Sequence, residues 1–266
     1  MKNIKKAYLS LVLIFMYAPI VVLIAFSFNE SRSRANWTGF TLQWYVELFQ
    51  DTRILNALST TFTIALLSTI IAVVLGTAAA IGIHAMKPAN KKAMMAVNNI
   101  PVVNPEIVMG VSLMILYISV FRIFAPGLEL GYMTLLLAHL SFITSYVVLS
   151  VLPRLRQMDK NIFEAALDLG ATPIQGFIKV VIPKIMPGIV TGALLAFTIS
   201  IDDFVVSFFT AGSGVETLSM VIYSMTKRGI NPKINAISTL MFILVITLLY
   251  VINRRDTKNK KKEEAK

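Results

Sequence analysis

Three carboxylates, Glu106, Asp202 and Asp203, stand inside long apolar runs of this sequence. An acid at the centre of a membrane-spanning helix costs about 2.5–3.5 kcal/mol on insertion scales, so such residues usually face a polar cavity or a partner. Two roles fit them. One aspartate and Glu106 line a path for a cation, or the acids cap broken helices and bind an Arg, Ser or Asn of another subunit. Asp202 and Asp203 are adjacent, about 100° apart around the helix, so both cannot face the same direction. Glu106 follows Pro101 and Pro105 and has Asn98, Asn99 and Asn104 nearby. Prolines remove backbone donors and bend or break a helix, which is tolerated at membrane depth where the backbone lines a protein cavity. Tyr223, Phe204, Phe208 and Phe209 are candidate aromatic walls for a cation. Phenylalanines in spans more commonly pack or face lipid.

Other chemistry has little support. The chain has no cysteine, which excludes disulfides, thiol nucleophiles and cysteine-based metal sites. His84 and His139 are far apart and lack companion ligands, so no metal or proton role is expected of either. No Gly-Lys dipeptide occurs, and the phosphate-cradling loop that depends on it is absent. The expectation is a protein with no catalytic residues that binds no ATP, cofactor or metal itself.

A second constellation is polar: Glu164-Ala165-Ala166-Leu167-Asp168-Leu169-Gly170, followed by Val180-Val181-Ile182-Pro183. Asn161 precedes Glu164 by the spacing of a capping box, and Gly170 sits where a helix C-terminus favours a left-handed residue. Thr172 then offers an N-cap, with Pro173 at the first helical position and Gln175 at the third. The pattern predicts two short helices at an angle, presented on a membrane face as a coupling element.

The elements that must position these residues are transmembrane helices. Hydrophobic residues make up 56% of the chain and charged ones 15%, against about 25% charged in soluble domains. A span needs about 20 apolar residues, and six segments qualify: 7–28, 57–83, 94–121, 130–152, 185–210 and 234–252. The first is longer than the ~7–15 residues of a cleavable signal sequence, so it reads as an uncleaved span. Eighteen of the 25 Lys and Arg fall in the amino terminus, the 84–96 and 154–184 loops and the carboxyl tail. That distribution places both termini and the polar loop in the cytoplasm. Lys227, Arg228 and Lys233, in the outer 211–233 loop, are discordant. The formal charge of +11 thus reports topology and contact with membrane lipid, not nucleic-acid binding. Trp37, Trp44 and Tyr45 suit a segment at the headgroup level. Gly76, Ala78, Ala79, Ala80 and Gly82 form a patch for close helix packing, within the chain or against a partner.

The polar loop resembles the E-A-A coupling loop of ABC-importer permeases of the binding-protein-dependent type, with Val180 and Ile182 where Ile and Leu are more usual. Ser200 to Ser207, Ile222-Tyr223-Ser224-Met225, Gly229-Ile230-Asn231-Pro232, Phe28 to Ser31 and Asn36 to Thr41 resemble the polyamine (spermidine/putrescine) branch of that family. The resemblance implies an all-α, six-helix membrane protein of the type I importer (MetI-like) architecture. Residues 1–56 would form the first helix and an outer loop, 57–252 the permease core with its coupling loop at 154–184, and 253–266 a basic cytoplasmic tail. It further implies a cytoplasmic-membrane location, a second permease of B type, a dimer of ATPase subunits that uses ATP and Mg, and an extracytoplasmic polyamine-binding protein. Glu164, Ala165, Ala166, Asp168, Gly170 and Pro183 would couple to the ATPase. Asp202, Asp203, Glu106 and Tyr223 would line the path for polyamine ammonium groups. Two alternatives stay open: an importer of another solute on the same scaffold, and an ion-gradient-driven carrier. Carriers often show repeated halves with paired broken helices, and no repeat is visible here.

Because the native chain lacks cysteine, single cysteines report topology directly. A cysteine at Glu164 should resist an impermeant thiol reagent in intact cells, whereas one at Glu216 should react. Labelling at Glu164 would overturn the orientation.

Overall fold

The computed structural model describes residues 2–31, 36–127, 129–159, 161–227 and 232–247. The 253–266 tail, Gly229 to Asn231 and the end of the last predicted span lie outside them. The described residues form helices α1 (Lys2–Phe26), α2 (Gln43–Gln50), α3 (Thr52–Ala85), α4 (Pro88–Val103), α5 (Glu106–Phe124), α6 (Tyr132–Gln157) and α7 (Ile162–Asp168). After these come α8 (Pro173–Gly176), α9 (Ile182–Asp202), α10 (Val205–Thr210), α11 (Leu218–Lys227) and α12 (Pro232–Thr247). Five stretches are long and apolar enough to cross a membrane, Tyr8–Phe26, Thr52–Ala85, Glu106–Phe124, Tyr132–Gln157 and Pro173–Asp202, and α12 is a shorter apolar helix.

Two predicted spans prove discontinuous. The 94–121 segment is α4 and α5, parted at Asn104 and Pro105 in extended conformation. Pro105 has no N–H to continue the first helix, and its ring disfavours helical geometry at Asn104. The 185–210 segment is α9 and α10, parted at Asp203 (φ −63°, ψ 127°) and Phe204.

One compact unit comprises residues 57–220. Its centre is α6, which buries Ala138, Ile143, Val147, Val148, Val151 and Leu152 against neighbouring helices. Lipid is as apolar as leucine, so such helices associate through close packing and hydrogen bonds. Small residues permit the approach. A Cβ added at Gly188 of α9 would stand 2.8 Å from the Ser150 carbonyl, and one at Gly76 of α3 2.7 Å from Val147 Cβ. Of the small-residue patch of α3, Gly76 and Ala80 therefore pack within the chain, beside Ala72, whereas Ala78 and Ala79 are exposed. Gly82 has open space beside it.

The other unit comprises residues 1–56 and 221–266. Here the aromatic residues expected at the headgroup level divide. Trp37 is exposed, but Trp44 is buried, because its indole N–H donates to the Asn29 carbonyl at 2.7 Å. Tyr45 shares a 2.7 Å hydrogen bond with Ser27. The Asn29 side chain, also buried, donates to the Asn36 carbonyl and accepts from the Thr38 N–H. Trp44 and Tyr45 are pins of a folded loop, satisfying the polar ends that burial would otherwise strand. Lys233, one of the discordant outer cations, lies 3.5 Å from both Glu47 and Asp51. Its charge is compensated locally, which explains why it does not overturn the charge asymmetry.

Candidate substrate cavity and coupling loop

Within the 57–220 unit a cavity of about 330 Å³ opens between the two broken spans. Its lining includes Glu106, Asp202 and Asp203 together with the aromatic side chains of Phe142, Tyr146 and Phe204, and no Lys, Arg or His. All three sequence-predicted acids thus meet in one place. The expectation that Asp202 and Asp203 could not face one direction assumed a continuous helix. The chain leaves the helix at Asp203, and the extended step lets both reach the cavity wall.

The two aspartates have different surroundings. The Asp203 carboxylate accepts from the N–H of Ser207 at 2.7 Å and of Val206 at 3.3 Å, and from the Ser207 hydroxyl at 2.7 Å. Breaking a helix at membrane depth strands the first N–H groups of the new segment, and Asp203 satisfies two of them at the start of α10. Asp202 is exposed at the end of α9 and makes no hydrogen bond or ion pair among the described residues. Glu106 is likewise exposed and unengaged, and it opens α5, where its charge complements the helix dipole.

His139, expected to do no chemistry, staples this break. The ring is 1% exposed. Nδ1 bonds Ser200 of α9 at 2.7 Å, and Nε2 bonds Ser207 of α10 at 3.1 Å and lies 3.6 Å from Asp203 Oδ2. Ser200 in turn meets Ser68 of α3 at 3.3 Å. One imidazole therefore joins both sides of the interruption to α6 and, through a serine, to α3. No spacing signal marks a bond across 61 or 68 residues. Tyr146 was also missed, although Phe142 and Tyr146 are four apart and share a helix face. Tyr223 belongs to the other unit, on α11, with Lys227 Nζ 5.6 Å from its ring centroid. Phe208 is exposed, and its ring is tilted against Phe204 and edge-on to Phe209.

The coupling loop folds largely as its sequence prescribes. Gly170 has φ +87°, and its N–H donates to Leu167 O while that of Ala171 donates to Ala166 O, a complete Schellman closure of α7. Thr172 and Gln175 exchange side chain to backbone bonds at 3.1 and 3.3 Å, the predicted capping box, with Pro173 at the first position. The Asn161–Glu164 box does not form. Asn161 already has helical dihedrals, and its N–H is taken by Asp159 Oδ1 at 3.0 Å, so no side-chain cap is needed there. Glu164, Ala165, Asp168 and Gly170 face outward, and Pro183 is exposed in the first turn of α9. Ala166 instead turns inward, toward Gly176, where the Phe163 ring also packs; a Cβ at Gly176 would stand 3.2 Å from Phe163 Cε2. Leu169 and Ile174 add exposed apolar surface, 89% and 72% accessible.

Broken apolar helices around an acidic cavity, with a self-capped polar loop between spans, define a membrane permease. The chain belongs to the family of binding-protein-dependent transport system inner membrane components, whose pattern it matches over residues 2–255. It is 39% identical over 230 residues to the putrescine transport system permease protein PotI of Escherichia coli K12, covering 85% of this chain and 81% of that protein. It is 36% identical to the spermidine/putrescine transport system permease protein PotC of Haemophilus influenzae, covering 96% and 97%. Among solved structures, a bacterial ABC transporter that imports alginate matches with a TM-score of 0.72 at 16% identity over 97% of this chain and 98% of that chain. The MetNI methionine ABC transporter matches at 0.61 and 21% identity over 81% and 97%. The protein is thus a permease subunit of an ABC importer in the inner membrane, and ATP hydrolysis belongs to a separate subunit.

Replacing His139 with Ala removes two interhelical bonds at about 0.6–1.7 kcal/mol each. Thermal unfolding in detergent should show a loss of about 1–3 kcal/mol. His139→Gln should lose less, because its amide retains a donor and an acceptor.

Proposed function

We propose that this chain forms, with a second permease of B type, the path by which a polyamine enters the cytoplasm. The observation that carries this reading is the cavity whose charged lining is three carboxylates beside aromatic rings. A polyamine presents several ammonium groups along a flexible apolar chain. Desolvating them requires anionic compensation, and aromatic faces add cation–π attraction. Asp202 and Glu106, unengaged by the protein, are the groups that meet the cargo. Asp203 is held by α10 and acts by positioning the break, and Tyr146 supplies the aromatic wall. The similarity to PotI, a putrescine permease, and PotC, a spermidine/putrescine permease, supports the same cargo class. An extracytoplasmic polyamine-binding protein delivers the cargo to this path.

The exposed α7 surface, Glu164, Ala165, Asp168 and Gly170, is the face that docks on a dimer of cytoplasmic ATPase subunits. Pro183 starts the helix leading from it. ATP and Mg are used there and not by this chain. Leu169 and Ile174 supply apolar contact around the polar handle.

Two measurements test these roles. In the assembled complex at matched membrane levels, Asp202→Asn should lower polyamine uptake about tenfold or more, since a hydrogen bond to a charged group is worth about 1.5–3 kcal/mol. Glu106→Gln should lower it less, with binding to the extracytoplasmic protein unchanged. Full uptake in both variants would exclude an acidic path here.

Gly170→Val probes coupling separately. A β-branched residue resists φ +87°, so the α7 closure should open, and the variant should reach the membrane yet lose ATP-dependent uptake. Normal uptake by this variant would remove coupling from the loop.

A further inference from the structure

A second concavity lies in the 57–220 unit, at the end that the Lys and Arg distribution places in the cytoplasm. It is a groove of about 530 Å³ between the start of α4 and the end of α6. Lys91 and Lys92 of α4 and Arg156 of α6 line it over an apolar floor of Pro88, Met95 and Ala96, and no acid is among the lining residues. No ion pair holds any of the three cations among the described residues. Basic residues at the cytoplasmic ends of spans are common, but usually each stands alone on its own helix. Here two helices converge their cations on one concave site.

Helix α4 carries the second observation. It buries no residue, and its exposed side chains change along its length from Lys92 to Met94, Val97, Ile100 and Val103. A helix that is basic at one end and apolar on its exposed surface at the other straddles the boundary between headgroups and hydrocarbon. The groove therefore sits at headgroup level, with its apolar floor continuous with the exposed apolar surface of α4.

We propose that this groove is a binding site for the headgroup of an anionic phospholipid. Arg156 offers a planar fork to two phosphate oxygens, and Lys91 and Lys92 act as point charges on the remaining oxygens and the glycerol headgroup. Met95 and Ala96 receive the glycerol backbone and the first methylenes. The free first-turn N–H groups of α4 add a positive field at the same end. The site is remote in role from the acidic cavity and does not depend on the identity of the cargo. Its occupant would brace α4, the segment leading directly into the Pro105 break and Glu106.

The test uses the full chain in its assembled complex, in nanodiscs of phosphatidylcholine alone or with added phosphatidylglycerol. Native mass spectrometry counts retained phosphatidylglycerol in the wild type and in a Lys91→Gln, Lys92→Gln, Arg156→Gln variant. Loss of one basic contact weakens attraction to an anionic surface about fivefold, so the triple variant should retain at least tenfold less. A control with the same charge change at Lys6, Lys179 and Lys184, exposed cations that do not line the groove, should retain the wild-type amount, as should Lys92→Arg. Thermal stability should rise with phosphatidylglycerol and not with soluble glycerol phosphate. Equal retention by the triple and control variants would overturn the site. So would equal stabilisation by the soluble phosphate, or protection of a cysteine at Lys92 from thiol reagents only when the ATPase is present, which would assign the groove to an acidic protein surface.

Discussion

A backbone N–H inside a hydrocarbon layer has no water to bond, and each one left unpaired costs several kcal/mol. The interruption after Asp202 creates such groups, and the surrounding polar arrangement answers them. The Asp203 carboxylate takes two N–H groups of α10, Ser207 donates to the same carboxylate, and His139 holds Ser200 and Ser207 on either side of the gap. Each member of this cluster has a partner, so the break is a defined structure and not a loosened helix. The cavity exists because the break exists.

This arrangement gives two neighbouring acids different surroundings. Asp203 has its acceptors occupied by the fold, whereas Asp202 and Glu106 keep theirs for something else. A carboxylate whose lone pairs are taken by the fold keeps its charge but has fewer acceptor positions left for a passing ammonium group. An unengaged carboxylate at a cavity wall attracts strongly but costs the apo state. Placing one of each kind side by side lets the protein keep a stable bend while offering a competent wall.

The legible part of this structure was the part made by near neighbours in sequence. Gly170, Thr172 and Gln175 folded as their spacing prescribed, since every bond they make closes within a few residues. The break at Pro105 was legible because proline acts through covalent geometry. The break at Asp203 carries no proline or glycine, and only its carboxylate, read as a cap, hints at it. His139 joins elements 61 and 68 residues apart, so nothing local marks its role. Trp44 illustrates the opposite error: its type suits an interface, but a carbonyl from Asn29 offered its indole a better partner than water. At Asn161 the motif spacing was present and went unused because Asp159 had already supplied the acceptor.

From Pro173 to Asp202 the chain runs as a helix of 30 residues that contains a π turn at Phe177–Val181 and, further on, Pro187 in its interior. At about 1.5 Å per residue it is roughly 45 Å long. Its first turn is closed by the Thr172–Gln175 box and packs on α7 through Phe163 and Ala166 against Gly176; its last residue is the cavity acid. A rod of that length pivoting near its middle by about 10° carries each end about 4 Å, in opposite senses. That travel rivals the width of an ammonium group. The outward-facing loop and the carboxylate thus stand at the two ends of one helical run. The π turn, with its wider ring and slacker bonding, and Pro187, which removes a ladder bond, both lie toward the loop end, leaving the run from Gly188 to Asp202 without a proline.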